Sequence, residues 1–134
     1  MILGIGTDLV EIATFRAQIE QVASSFVSGT FTPGERALAE SRAGDTPEQH
    51  LAGRFAAKEA FLKAWSTAHG GSRPAVTAVD FREIEVVSDA LGRPSFRLGG
   101  AVARAFDRMG TLRTHLSISH DGDFAIAFVI LEQI

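Results

Sequence analysis

The chain has 134 residues, 46 % hydrophobic and 22 % charged, with a formal net charge of −3 and no cysteine. One compact domain over 1–134 is expected from that length; the acidic balance excludes general nucleic-acid binding, and the missing thiols exclude disulfides, thiolate catalysis and cysteine zinc sites. The opening MILGIGTDLVEI has no basic start, unlike a signal peptide, and no apolar run approaches the roughly 20 residues of a membrane span, so a cytoplasmic protein without membrane partners is expected.

In chain order, ILGIGTDLVEI alternates loosely and predicts a buried strand whose glycines admit a close neighbour. A short helix follows near residues 12–24, with Ile12, Phe15, Ile19 and Val22 on one face. In SGTFTPGERALAE, Thr32 as N-cap, Pro33 at the first position and Glu35 three residues on begin a second helix. After the loop SRAGDTP, Asp45 or Thr46 caps a long helix from residue 47 to about 69, which GGSRP ends. VDFREIEVV and PSFRL pair about the turn-rich SDALGR, and GGAVARAFDRMG is a short helix. HLSISH and FAIAFVIL close the chain as a hairpin around DGD. The order β-ααα-ββ-α-ββ predicts an α+β fold with a largely antiparallel sheet packed on the long helix.

The long helix carries the chemistry. At about 100° per residue, Leu51, Phe55, Leu62 and Trp65 share a stripe, with Phe61 beside it, and this is read as the core face. Gly53, Ala56, Ala57, Ala60 and Ala64 make a bare opposite face that a backbone, partner helix or ligand can approach. Glu59 and Lys63 have the spacing of a helix ion pair. Arg54 and Lys58, also one turn apart, repel unless an anion or carboxylate lies between them. One reading is a surface pair with two cations snorkelling from the core edge. The other is a phosphate site with a carboxylate for a metal, which needs a second acid because magnesium is held by one or two carboxylates plus substrate phosphates.

Asp8, ending a strand after Gly4 and Gly6, is the candidate second acid, although it also suits a helix N-terminus. In HLSISHD, His115, Ser117 and Ser119 share one strand face, suited either to an anion or to solvent. His120 and Asp121 enter the turn.

GIGTDLVEI, GRFAAKEAFLKA and HLSISHD, with LGRP between the last two, occur in one order at fitting distances. The chain thereby resembles the holo-acyl-carrier-protein synthases, the short class of 4′-phosphopantetheinyl transferases, in an actinobacterial form. The resemblance implies that fold and transfer of phosphopantetheine from coenzyme A to a serine of acyl carrier protein, or of a fatty-acid synthase carrier domain. It further implies Mg²⁺ held by Asp8 and Glu59, with Glu59, Lys63 and Asp8 as catalytic residues. Arg54, Lys63, Gly92, Arg93, Pro94 and His115 are implied to hold coenzyme A, Lys58 and Ser117 are added to them from the helix charges and the polar strand face, and His120 and Asp121 fit the family's ending. A homotrimer with active sites between subunits is also implied. The family's basic patch after the first strand is reduced here to Arg16, with Glu20 nearby, so Arg36 and Arg42 are expected to share carrier docking. A coenzyme-A-binding module without catalysis is the rival reading; the presence of both acids argues against it.

Overall fold

The structure, a computed structural model, describes residues 1–42, 44–70 and 78–134, and the side chains of these except 22–24. Strand β1 (Ile2–Glu11) leads directly into α1 (Ile12–Thr30), followed by α2 (Pro33–Ser41) and the long α3 (Pro47–Ala68). A 3-10 turn (Phe81–Glu83) then enters the hairpin β2 (Ile84–Ser88) and β3 (Pro94–Leu98); α4 (Gly100–Asp107), β4 (Leu112–Asp121) and β5 (Phe124–Gln133) complete the order. All strand pairing among the described residues is antiparallel, but in two separate sheets: β1-β5-β4 and β2-β3. The expected α+β architecture is therefore present, with the sheet divided.

Local chemistry sets the helix starts. Thr32 and Glu35 form a reciprocal capping box at α2, with Pro33 at its first position. Thr46, not Asp45, caps α3 by the same device with Gln49. The expected stop in GGSRP lies mostly outside the described residues; α3 ends at Ala68, and Gly70 adopts φ 58°. Helix α1 runs six residues beyond its expected end. Phe26 there packs 6.0 Å from the Phe15 ring and 5.7 Å from Phe55, so tertiary burial outweighs the poor helix propensity of Ser28 and Gly29. Val22, placed on that helix's inner face from sequence, has a side chain outside those described.

The core reverses one expectation. The bare face of α3 is its most deeply buried one: Ala56, Ala57, Ala60 and Ala64 are all fully enclosed, while Phe55 and Leu62 are only half-buried. The reason lies in β1. A Cβ at Gly4 would overlap the Ala64 carbonyl oxygen, and one at Gly6 the Ala60 oxygen, so strand and helix backbones pack directly together. Large side chains on either element would hold them apart. Leu51, Phe61 and Trp65 are buried as well, leaving α3 enclosed on most sides.

Alternation in the three-stranded sheet assigns its two faces. Gly4, Gly6, Asp8 and Val10 on β1, Ala125, Ala127, Val129 and Leu131 on β5, and Leu116, Ile118 and His120 on β4 share the face toward α3. Ile5, Leu9, Phe124, Ile126 and Phe128 lie on the other face and are exposed, with His115, Ser117 and Ser119 beside them.

Candidate functional site

Asp8 lies on the α3-facing side of β1, and Glu59 and Lys63 project from the flank of α3 nearest it. Asp8 and Glu59 line one cleft of about 330 Å³, together with Leu9, Val10, Glu11, Thr14, Phe15, Gln18 and Phe55. The two acids sense each other. Burial raises the Glu59 pKa, the Asp8 charge raises it further, and Lys63 partly offsets both. Lys63 does not close the expected helix pair with Glu59: its ammonium donates to Asp8 Oδ1 at 2.9 Å and to the Thr7 carbonyl at 3.0 Å. Strand and helix are so close, over Gly4 and Gly6, that a lysine on one reaches a carboxylate on the other.

No group of three or more His, Cys, Asp or Glu suited to a metal occurs among the described residues. The Asp8–Glu59 pair nevertheless fits magnesium, a hard cation that takes one or two carboxylates and completes its shell with water and phosphate oxygens. Asp8 and Glu59, the latter with a pKa raised by burial and then by the Asp8 charge, are a pair that a cation would stabilise.

A second site lies around α3, toward β4. A cavity of about 160 Å³ is lined by Arg42, Asp45, Gln49, His50, Gly53, Arg54, Gly92, Pro94, Ile118 and His120. Arg54 is 8 % exposed; its Nη2 donates to Ser88 Oγ at 3.1 Å, and its Nε has no hydrogen-bond partner among the described residues. Burial and the neighbouring Arg42 lower its pKa to about 10, leaving it cationic at neutral pH. Gly92 bends the β2–β3 turn into the cavity wall at φ 79°, a conformation that favours glycine.

Other expected site residues fall elsewhere. Lys58 is not available to an anion. It is fully buried, and its ammonium donates at 2.8 Å to each of Thr30 O, Glu35 Oε1 and Phe81 O, exhausting its three donors. The carboxylate that reconciles Lys58 with Arg54 is thus Glu35, from α2. Arg93 is exposed and turned onto Asp89, with Nε 2.6 Å from Oδ2, and does not line the cavity that Gly92 and Pro94 border. His115 and Ser117 are on the sheet face away from α3, where His115 Nε2 lies 3.2 Å from Glu132 Oε1; no single chain joins them to Arg54. Of the histidines in HLSISHD it is His120 that lines the cavity, 3.7 Å from Asp45. Its parity with Leu116 and Ile118 was the sequence signal for that. His50 and Arg42 carried no comparable signal, since neither burial nor the approach of α2 can be read from spacing.

Asp8 and Glu59 in one cleft, Lys63 bonded to Asp8, and an arginine-lined cavity on another side of the same helix are arrangements suited to anionic ligands. A family model described as the 4′-phosphopantetheinyl transferase superfamily matches residues 4–129, and the chain belongs to that superfamily. Within it, the chain is 46 % identical over 131 residues to the holo-[acyl-carrier-protein] synthase of Nocardia farcinica, covering 98 % of this chain and 88 % of that one. The same named enzyme of Corynebacterium glutamicum is 46 % identical over 132 residues, covering 96 % and 97 %. Among solved structures, an ACPS–CoA complex of Chronobacterium ammoniagenes superposes with a TM-score of 0.88 at 44 % identity, covering 96 % of this chain and 95 % of that one.

Proposed function

We propose that residues 1–134 form one holo-acyl-carrier-protein synthase domain. It moves the 4′-phosphopantetheine arm of coenzyme A to a serine of apo acyl carrier protein, or of a carrier domain, and so supports fatty-acid biosynthesis in the cytoplasm. Among the described residues no helix is long and apolar enough to cross a membrane. The observation that carries the reading is the meeting of Asp8 and Glu59 in one cleft, with the Lys63 ammonium bonded to Asp8.

In the reaction the serine oxygen attacks the phosphorus that bears pantetheine, the bond to the bridging diphosphate oxygen breaks, and 3′,5′-ADP departs. Asp8 and Glu59 would hold Mg²⁺, which when bound would neutralise charge on the diphosphate. Lys63, already beside Asp8, stabilises the negative charge that grows on the leaving phosphate. Glu59, in the same cleft, takes the serine proton, and help of this kind contributes about 10²–10⁴-fold. The Arg54 cavity, with Gly92 and Pro94 at its rim, takes the 3′-phosphate and adenosine end of coenzyme A.

The two half-sites point different ways. Arg54 and Glu59 are about 140° apart around α3, and Arg54 and Lys63 about 180°. One nucleotide does not reach both around the same helix, whereas the cavity of one copy facing the cleft of the next brings them together. Such head-to-tail contact closes into a ring, and the proposed ring is a homotrimer that uses the exposed apolar sheet face of Ile5, Leu9, Ile126 and Phe128. His115 and Ser117 then serve at, or beside, a neighbouring copy.

Incubation with coenzyme A, Mg²⁺ and an apo carrier tests the proposal by mass spectrometry. The carrier gains one phosphopantetheine arm, and E59Q loses nearly all turnover while keeping its fold. No mass gain on any of several apo carriers overturns the assignment.

A further inference from the structure

The cavity contains a second buried nitrogen without a partner. His50 lies one turn before Arg54 on α3, is 5 % exposed, and its Nε2 has no hydrogen-bond partner among the described residues, as for Arg54 Nε. Both residues line the same cavity. A buried polar atom left unpaired costs about 1–3 kcal/mol, so two of them one turn apart, on a helix whose buried Lys58 ammonium has all three donors bonded, mark a place completed from outside. Arg42 adds a cation at the same wall and Asp45 removes part of it.

We propose that His50 is a specificity-determining residue: its Nε2–H, beside Arg54 Nε, hydrogen-bonds the phosphate monoester of the ligand and lets this chain distinguish coenzyme A from 3′-dephospho-coenzyme A. The inference rests on the reading above that this cavity receives the 3′-phosphate end. A neutral imidazole suits the task. Burial, Arg54 and Arg42 lower the His50 pKa to about 4, with Asp45 opposing them and His120 adding to them, so the ring is uncharged at neutral pH. It offers one directed donor without adding a further positive charge to a cavity that already holds two arginines. Its neighbours also fix its place: Leu51 and Ala52 are buried on the following turn, and Gly53 brings α3 against Ile118.

Calorimetric titration of the Mg²⁺-supplemented full chain with coenzyme A and with its 3′-dephospho form tests this. Wild type prefers coenzyme A. H50L, which removes the donor but keeps apolar bulk, loses about tenfold or more of that preference, as expected for one hydrogen bond to a charged group. H50Q, whose amide nitrogen reaches the Nε2 position, keeps most of it. H50L is also no less heat-stable than wild type, because it removes an unpaired buried atom. If H50L does not fold, H50N serves instead, since its shorter amide does not reach the Nε2 position. An unchanged preference in H50L or H50N, or an equal loss for both ligands, overturns the role of His50. A wild type that binds coenzyme A without regard to its 3′-phosphate overturns the assignment of the cavity itself, and absence of coenzyme A binding overturns the functional reading.

Discussion

Replacing Lys58 by methionine separates a structural lysine from a ligand-binding one. The substitution keeps the length and bulk of the side chain but removes the cation from a fully enclosed position. Three acceptors lose their donor at once: the Thr30 and Phe81 carbonyls and Glu35 Oε1. Glu35 retains the Thr32 and Val86 backbone N–H groups but loses the one cation bonded to it among the described residues, leaving only the more distant Arg54 charge. Burial itself works against the Lys58 charge and lowers its pKa, and Glu35, with more distant help from Glu85 and Asp80, opposes that shift. Breaking a buried pair from one side costs about 3–5 kcal/mol, because an uncompensated charge stays behind. At about 2.1 cal/mol/K of unfolding entropy per residue, a chain of 134 residues loses about 1 °C of Tm for each 0.28 kcal/mol. K58M should therefore melt roughly 11–18 °C lower. Urea and thermal unfolding followed by circular dichroism, at one protein concentration so that self-association does not intrude, measure the loss. Calorimetry below the lowered Tm then gives coenzyme A affinity within about twofold of wild type. A K58M chain of unchanged stability with much weaker coenzyme A binding would refute the reasoning and return Lys58 to the binding site.

Three further outcomes follow from the packing and the titrating groups. G6A drives a methyl group into the Ala60 carbonyl oxygen, so strand and helix must part; a loss of about 3 kcal/mol or more in urea unfolding is expected, and a near-neutral effect would show that β1 and α3 are not in backbone contact. His50 makes stability depend on pH. Its pKa drops from 6.5 in the unfolded chain to about 4 on folding, so between those values the unfolded state holds a proton that the folded state refuses, and stability falls as pH falls. Between pH 7 and 5 the loss is about 2 kcal/mol; H50L should lack this component, and equal pH slopes in the two chains would contradict it. F128D places a charge in the exposed apolar sheet face. Sedimentation should then show single chains with little transferase turnover, and a fully active monomer would refute the shared active site.

The amino-acid sequence determined the order and types of the elements, because the relevant signals are local. Thr32 with Glu35 and Thr46 start helices through their own backbones, and DGD turns β4 into β5 without help from distant residues. It also singled out Asp8 and Glu59, since acids at a glycine-rich strand end and in an apolar helix are unusual enough to notice. Spacing along α3 could not tell which cation serves a ligand. Lys58 and Arg54 look alike in sequence, yet Glu35, 23 residues from Lys58 along the chain, takes one of them into the core. Nor could it tell that the alanine face is the inner one, which depends on Gly4 and Gly6 letting β1 come close. His50 stayed hidden because its meaning is a missing partner, and a partner is missing only once every other group has been put in its place. Periodicity and capping act over a few residues and can be read from the chain; burial and pairing depend on which distant segments meet, and only the folded arrangement decides that.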